Sequence, residues 1–537
     1  KDAYNNLSVL YQETKEYDKA EQSYKKAIKI DSTFKEAHKN LGTLYLNNKN
    51  FKEGFKLYEN RIINKSLYFV YNTISLPVWK GVNTTDKVLI VSEQGIGDSF
   101  QFFRFIIPLK KKYPNTKFTF GTSDKINHLF KDIVPIITDT ESISSYSYKV
   151  LLMSIPYILN IEEINPYVGE SYIKVDSDKV LLWKDKLSTI KKPKVAICWK
   201  GNQNQYTVEK YIPLELCKNI SSLDIDLISL QKGDGEEELD TISFKDKIHR
   251  FEIDIDKPFI DTLAILKNVD LLITVDTSLV HLAAMIGVKT FLLLGRISEW
   301  RWGESTDKSY WYDSVEIFRS DTINDWTGVL TEVKDRLMSE INKNAQTQKY
   351  MNEADSHINT QHYDKAIDTY KKAIEIDSNY KHVFYNNLGN VYLTIKQYDK
   401  AIESYKKVIE IDTNYKEAYY NLGNVYLDDK KEYEKAEQLY KKAIEIDSNF
   451  KEAYNNLGKV YQETKEYDKA IGSYKKAIEI DPNFKEALTN LGNVYQIIKE
   501  YDKAEQLYKN ILKIDSKVKE AHNNLGNVYQ IIKEYDK

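Results

Sequence analysis

Cysteine is nearly missing from these 537 residues, with only Cys198 and Cys217 present. Two thiols exclude a disulfide scaffold and a Cys-rich zinc site, and make a reducing, cytoplasmic setting the default. Nowhere do 18 apolar residues run together, so no segment reads as a membrane-spanning helix. An excess of either charge is missing as well. Lys+Arg 77 against Asp+Glu 80 leaves a net charge of -3 with both signs interleaved. That balance gives no global attraction to nucleic acid or to an anionic membrane. The phosphate-loop pattern GxxxxGK[ST], the GxSxG elbow and HExxH do not occur. Residue 1 is not Met and both ends fall inside a repeat, so the sequence reads as a fragment whose targeting signal would be out of view.

At roughly 150 residues per domain, the length suggests three or four domains. Composition divides them. All seven tryptophans lie between Trp79 and Trp326, and nine of the ten prolines between Pro77 and Pro258. The flanks are instead rich in Lys, Glu, Tyr, Asn and Ala and repeat with a period of about 34 residues. Tyr4, Leu7, Ser8, Tyr11, Ala20, Tyr24 and Ala27 return as Tyr454, Leu457, Gly458, Tyr461, Ala470, Tyr474 and Ala477. This is the tetratricopeptide-repeat pattern of two antiparallel helices, in which small residues let the pair approach. Residues 35–68 are a worn copy, with Gly54 and Arg61 in place of alanines. The expected layout is repeats at 1–68, two α/β lobes at 69–189 and 190–344, and repeats again at 345–537.

One column bears on binding. Asn387, Asn421, Asn456 and Asn490, with Asn6, Asn40 and Asn524, hold the sixth position of each unit. A row of carboxamides can pair with the backbone of an extended peptide acceptor, and it can equally bond within the solenoid. Both readings stay open. The Lys-Glu-rich second helices read as a solvated face.

The centre alternates strand and helix. Strands are expected at Lys87–Ser92, Lys117–Gly121, Lys149–Met153, Lys194–Trp199, Asp226–Leu230, Leu271–Val275 and Lys289–Leu294. Helices are expected at about 99–112, 211–221, 259–267, 277–286 and 324–341, with a linker near 184–193. Alternation implies parallel sheets, and two Rossmann-like lobes would bind ligands at the carboxyl ends of their strands.

Three segments at such ends could carry chemistry. In EQGIGD, Gly95 and Gly97 permit close approach by a ligand and Asp98 opens a helix, where it also fits a plain N-cap. In VDTSLVHLA, Asp276, Thr277 and Ser278 begin a helix whose free amides attract an anion such as a diphosphate. Thr277 and His281 share a face there, although His281 fits a core position as well. In CWKGNQNQYTVEKY, Lys200 and Lys210 could face a phosphate and Gly201 could allow close approach, or the segment is a solvated loop. Trp300, Arg301, Trp302 and Trp311 read as core or interlobe packing. DID occurs at Asp224–Asp226 and Asp254–Asp256 without partners at ligand spacing, so no metal is expected.

Together EQGIGDSFQFFRFIIPL, SLQKGDGEEEL, DTLAILKNVDLLITVDTSLVHLAAMIGVKTFLLL and EWRWGESTDKSYWY resemble bacterial-type glycosyltransferases with tetratricopeptide repeats. Their catalytic region is related to the heptosyltransferases of glycosyltransferase family 9. The likeness spans about residues 86–340, and the layout is similar to that of protein O-GlcNAc transferases. It implies a GT-B-like two-lobed Rossmann domain inserted between two all-α solenoids. It also implies a metal-independent, usually inverting transfer from a nucleotide-diphosphate sugar, with no other cofactor. By motif, Asp98 corresponds to the proposed general base, and Asp276, Thr277 and His281 to the block holding the donor diphosphate and sugar. Lys200 corresponds to the loop that supplies a basic residue for the leaving phosphate. Relatives usually carry Arg-Ser where this chain has Lys210-Tyr211, a change that keeps the charge and loses the bidentate fork. The expected function is sugar transfer to a protein or peptide acceptor held by the repeats. The alternatives are an interaction scaffold with an inactive transferase-like domain, or transfer to a lipid-linked or polysaccharide acceptor.

Overall fold

The computed structural model describes residues 1–61, 75–137, 141–164, 172–201, 210–254, 257–296, 298–303, 307–376 and 380–535. They form two compact units, Lys1–Ser339 and Glu340–Lys537. The expected boundary at 68/69 lies outside the described residues.

The first unit opens with four helices, Asp2–Glu13, Tyr17–Ile30, Lys35–Asn47 and Phe51–Tyr58. Gly54 breaks the alanine consensus because a methyl there would sit 2.8 Å from the Leu46 side chain. Phe51, Phe55 and Tyr58 belong to the same hydrophobic core as the sheets that follow. This second repeat is therefore part of the α/β body, where composition suggested a separate domain.

Two parallel sheets follow. The first joins β1 (Lys87–Val91), β2 (Lys117–Gly121) and β3 (Tyr148–Leu151) in the order β2-β1-β3. The second joins β4 (Lys194–Cys198), β5 (Asp226–Ser229), β6 (Ile248–His249), β7 (Leu271–Val275), β8 (Thr290–Leu294) and β9 (Val315–Arg319). Its order is β6-β5-β4-β7-β8-β9, and every neighbouring pair is parallel. β7 and β8 are buried at every position, which is why their sequences are unbroken apolar runs. Strand order reverses between β4 and β7, the switch point at which doubly wound sheets open a crevice.

All seven expected strands are present, four of them ending one or two residues early. β6 and β9 were not legible: the first is two residues long and the second follows a tryptophan-rich turn. The helix expected at 99–112 is two, Ile96–Phe103 and Ile106–Lys112. Pro108 lacks an N–H and its ring would clash one turn back, so an unbroken helix cannot pass it. The 211–221 segment is a 3₁₀ turn, Leu214–Cys217, followed by one α turn, Lys218–Ser221. A helix at Ser177–Lys186 occupies the start of the expected linker. The last helix, Thr327–Asn359, runs through the expected 344/345 boundary without a break.

The second unit contains helix pairs from Tyr363–Ile376 to Lys519–Tyr535. Gly389, Gly423, Gly458 and Gly492 each lie against the ring of Tyr405, Tyr440, Tyr474 or Tyr508, at distances no side chain would tolerate. One unit, between Tyr419 and Tyr454, is a residue longer than its neighbours. A π turn at Val425–Asp429 absorbs the insertion.

Candidate functional site

β1 ends in Ser92-Glu93-Gln94-Gly95 and the chain turns directly into the helix Ile96–Phe103. Asp98 is the third residue of that helix rather than its cap. Its Oδ2 accepts the Gly95 N–H at 2.9 Å, and its Oδ1 lies 2.7 Å from the Arg301 guanidinium. Gly97 has a packing role: a methyl there would meet the His281 ring edge at 3.2 Å. Glu93 is held away from the opening by Arg61, which donates to it at 2.9 and 2.7 Å, and by the Met153 N–H at 3.0 Å.

Across the opening, β7 leads through Asp276 to the helix Ser278–Ala284, capped by Thr277. Thr277 Oγ1 accepts the Leu279 N–H at 3.3 Å. Lys210 Nζ is 2.9 Å from Asp276 Oδ2 and 3.7 Å from Glu299. Burial pushes the Asp276 carboxyl up, but Lys210 and Arg301 outweigh it and hold the group below the usual carboxylate range. Burial works against the Lys210 charge too, and Asp276 with Glu299 reverses it, so the ammonium is held above its ordinary value. Lys200 and Gly201 pair antiparallel with Tyr211 and Lys210 at the neck of a loop whose tip, 202–209, lies outside the described residues. A side chain at Gly201 would press on Lys210 and the Asp276 carbonyl. Lys200 lies over the Tyr211 ring and 3.7 Å from Glu237. The backbone at Lys200 is clamped by buried Gln231, whose amide bonds the Trp199 and Lys200 N–H groups and the Lys200 and Asp234 carbonyls.

These residues line one cleft of about 1780 Å³ at the carboxyl ends of the strands. That exceeds the usual 300–1,000 Å³ of a small-ligand pocket. Asp98, Lys200, Lys210, Asp276, Thr277, Ser278 and His281 all reach it, as do Gly95, Gly97 and Gly201. One wall comes from the repeats, where Gln12, Lys39, Asn40, Thr43 and Asn47 face the same space. Ten Lys and Arg against five Asp and Glu line the cleft, in a chain whose net charge is -3.

Arg301 is the residue that sequence reasoning assigned to packing. Its tryptophan neighbours do pack: Trp302 and Trp311 are wholly buried, and Trp300 contacts Phe55 and Tyr58 of the second repeat. Arg301 itself points at Asp98, with Glu299 at 3.8 Å and Gln101 at 3.3 Å. The signal available was a lone arginine between two tryptophans. The first DID motif is structural: Asp224 pairs with Lys192 at 2.8 Å and Asp226 lies 3.3 Å from His249. In the second, the Asp254 backbone N–H donates to the Asp261 carboxylate at 2.9 Å, and residues 255–256 lie outside the described residues.

In the second unit the asparagine row bonds along the solenoid. Asn421 donates to Asn386 at 3.0 Å, Asn456 to Asn424 at 2.8 Å and Asn490 to Asn455 at 2.9 Å. Asn387 Nδ2 lies 3.9 Å from the Met351 sulfur. The Asn424 carbonyl also receives the Tyr440 hydroxyl at 2.7 Å, tying both helices of one repeat to the next. Solenoid bonding thus occupies most of the amides that a peptide would need.

Tetratricopeptide-repeat family models match residues 1–34, 350–380, 369–403, 389–429, 427–465, 452–484 and 473–506. Those segments are tetratricopeptide repeats, a protein-interaction scaffold. No curated protein matches the chain. Among solved structures, the chain is similar to the MamA protein at 34% identity, covering 32% of this chain and 93% of that one, with a TM-score of 0.29. It is similar to YrrB, described as a TPR protein with an unusual peptide-binding site, at 24% identity over 35% of this chain and 95% of that one, TM-score 0.29. PilF of Pseudomonas aeruginosa matches at 20% identity over 36% and 93%, TM-score 0.31. Among the described residues no helix is long and apolar enough to cross a membrane.

Proposed function

We propose that the chain is a glycosyltransferase of GT-B type that moves a sugar from a nucleotide-diphosphate donor to an acceptor hydroxyl, with the repeats holding a protein or peptide acceptor. The observation that carries this reading is the cationic cleft at the β4/β7 switch point, where a helix N-terminus, Lys210, Arg301 and Asp98 surround one opening. A diphosphate fits the amides at the start of Ser278–Ala284 and the Lys210 ammonium, which would neutralise the leaving anion without a metal. Asp98 is the group suited to take the proton of the attacking hydroxyl. Arg301 holds that carboxylate, so a donor oxygen that draws Arg301 away would free it. The acceptor's path in this reading runs over the first helices of the N-terminal repeats, which share the cleft. A cytoplasmic setting suits two buried thiols, Cys198 and Cys217, which burial pushes up to about 11 and about 12.

The test is calorimetric titration with UDP, GDP, ADP and CMP, on the chain and on Asp276→Ala. Binding of one nucleotide that the substitution weakens supports a working donor site. No binding by any of them leaves a scaffold. One observation favours that second reading: Lys210–Asp276 and Arg301–Asp98 already satisfy each other's charge.

A further inference from the structure

His281 is buried on the helix Ser278–Ala284 with its ring lying flat on Trp302, centroids 5.3 Å apart and planes within 17°. Its Nδ1 is 2.8 Å from the hydroxyl of Tyr312, which is also buried. The opposite edge, Cδ2 and Nε2, faces Gly97 and the cleft. Turning the ring over would set a carbon against the Tyr312 hydroxyl and leave a buried phenol without its partner.

We propose that Tyr312, backed by Arg104, is a positioning residue that fixes His281 as the tautomer protonated on Nε2, so that a neutral hydrogen-bond donor faces the cleft. The charge beside the phenol decides it. Arg104 is buried and its guanidinium lies 4.4 Å over the Tyr312 ring, held there by the Trp311 carbonyl at 2.6 Å. A fixed cation draws the hydroxyl oxygen and repels its proton, so the single Tyr312 proton turns to His281 Nδ1. A ring that accepts at Nδ1 carries its own proton on Nε2. Burial, and then Arg301, Arg104 and Lys210 against Asp276, push His281 down to about 3, so the ring holds one proton near neutrality. His281 is then a donor to an oxygen in the cleft and not the base, which leaves proton removal to Asp98. That this oxygen belongs to a donor diphosphate or its sugar rests on the glycosyltransferase reading; the tautomer does not.

The test is long-range ¹H–¹⁵N correlation on the full chain with ¹⁵N-labelled histidine, assigning His281 by His281→Gln. Nε2 protonated and Nδ1 bare, unchanged between pH 5 and 8, is the expected result. Tyr312→Phe keeps the ring and removes the hydroxyl, so it should admit the Nδ1-protonated form and raise the Kd of whichever of UDP, GDP, ADP or CMP binds at least fivefold. His281→Gln, which keeps a neutral amide donor, should retain more of that affinity than His281→Ala. A wild-type ring protonated on Nδ1, or an imidazolium at pH 7, overturns the proposal even if no variant folds. So does a tautomer that Tyr312→Phe leaves unchanged. The expected tautomer in a chain that binds none of the nucleotides supports the relay and sinks the transferase reading instead.

Discussion

Arg61 stands where the second repeat should carry a small residue, and it grips Glu93 through two hydrogen bonds of 2.9 and 2.7 Å. It also reaches Ser154 at 2.8 Å. The lost consensus residue is thus a joint: the segment just past the repeat helix Phe51–Tyr58 holds the loop that leads into the helix carrying Asp98. Breaking a buried pair by removing one partner costs about 3–5 kcal/mol, because the other charge is stranded. Arg61→Ala should lower the urea midpoint of the first unit accordingly, and Arg61→Met with Glu93→Leu should recover most of the loss.

Lys210 and Asp276 make the second testable pair. In the proposed donor site, Lys210→Met would remove a charge-assisted contact to the diphosphate, worth about 1.5–3 kcal/mol. Calorimetry should record a rise in Kd on the order of 10- to 100-fold for the nucleotide that binds. An unchanged Kd would remove Lys210 from the donor site.

Acid stability has a predicted sign. His281 sits at about 3 in the fold and near its ordinary 6.5 when unfolded, so between those values the unfolded chain takes up the extra proton. The contribution is fully present above pH 6.5 and is lost as pH falls toward 3, on the order of 5 kcal/mol in all. Asp276, held below its ordinary 3.8, adds a loss of the same sign that begins near pH 4 and grows as pH falls toward its folded value. Urea midpoints from pH 3 to 8 should fall less steeply for His281→Gln than for the unaltered chain.

Two glycines of one repeat should respond oppositely to alanine. Gly458 lies where a methyl would come within 2.5 Å of the Tyr474 ring, whereas nothing lies within 4 Å of such a methyl at Gly472. Gly458→Ala should destabilise by roughly 1–3 kcal/mol through overpacking. Gly472→Ala should stabilise by about 1 kcal/mol through helix propensity. Amide hydrogen exchange across Lys451–Ile480 would record both.

The asparagine ladder predicts a structural penalty. Asn456→Ala removes a donor from Asn424 and Tyr420, so protection of the helices Lys416–Asn424 and Lys451–Glu463 should fall by about 1 kcal/mol. Loss of peptide binding with unchanged protection would restore the recognition reading.

Much of this molecule follows from periodicity. The spacing of Ala20, Tyr24 and Ala27, and of their copies to Tyr508, dictates the paired helices, because only a small residue lets the facing ring in. Apolar runs such as LLITV dictate buried parallel strands, and the residues after them mark where a ligand site opens. Those signals are local, so the sequence carries them whole. Pairings across long separations are another matter. That Arg301 meets Asp98, that Tyr312 meets His281, and that Arg61 leaves its repeat to hold Glu93 depend on strand order and on how two sheets and a repeat share one core. No period encodes such contacts, because each is made once, between segments that only packing brings together.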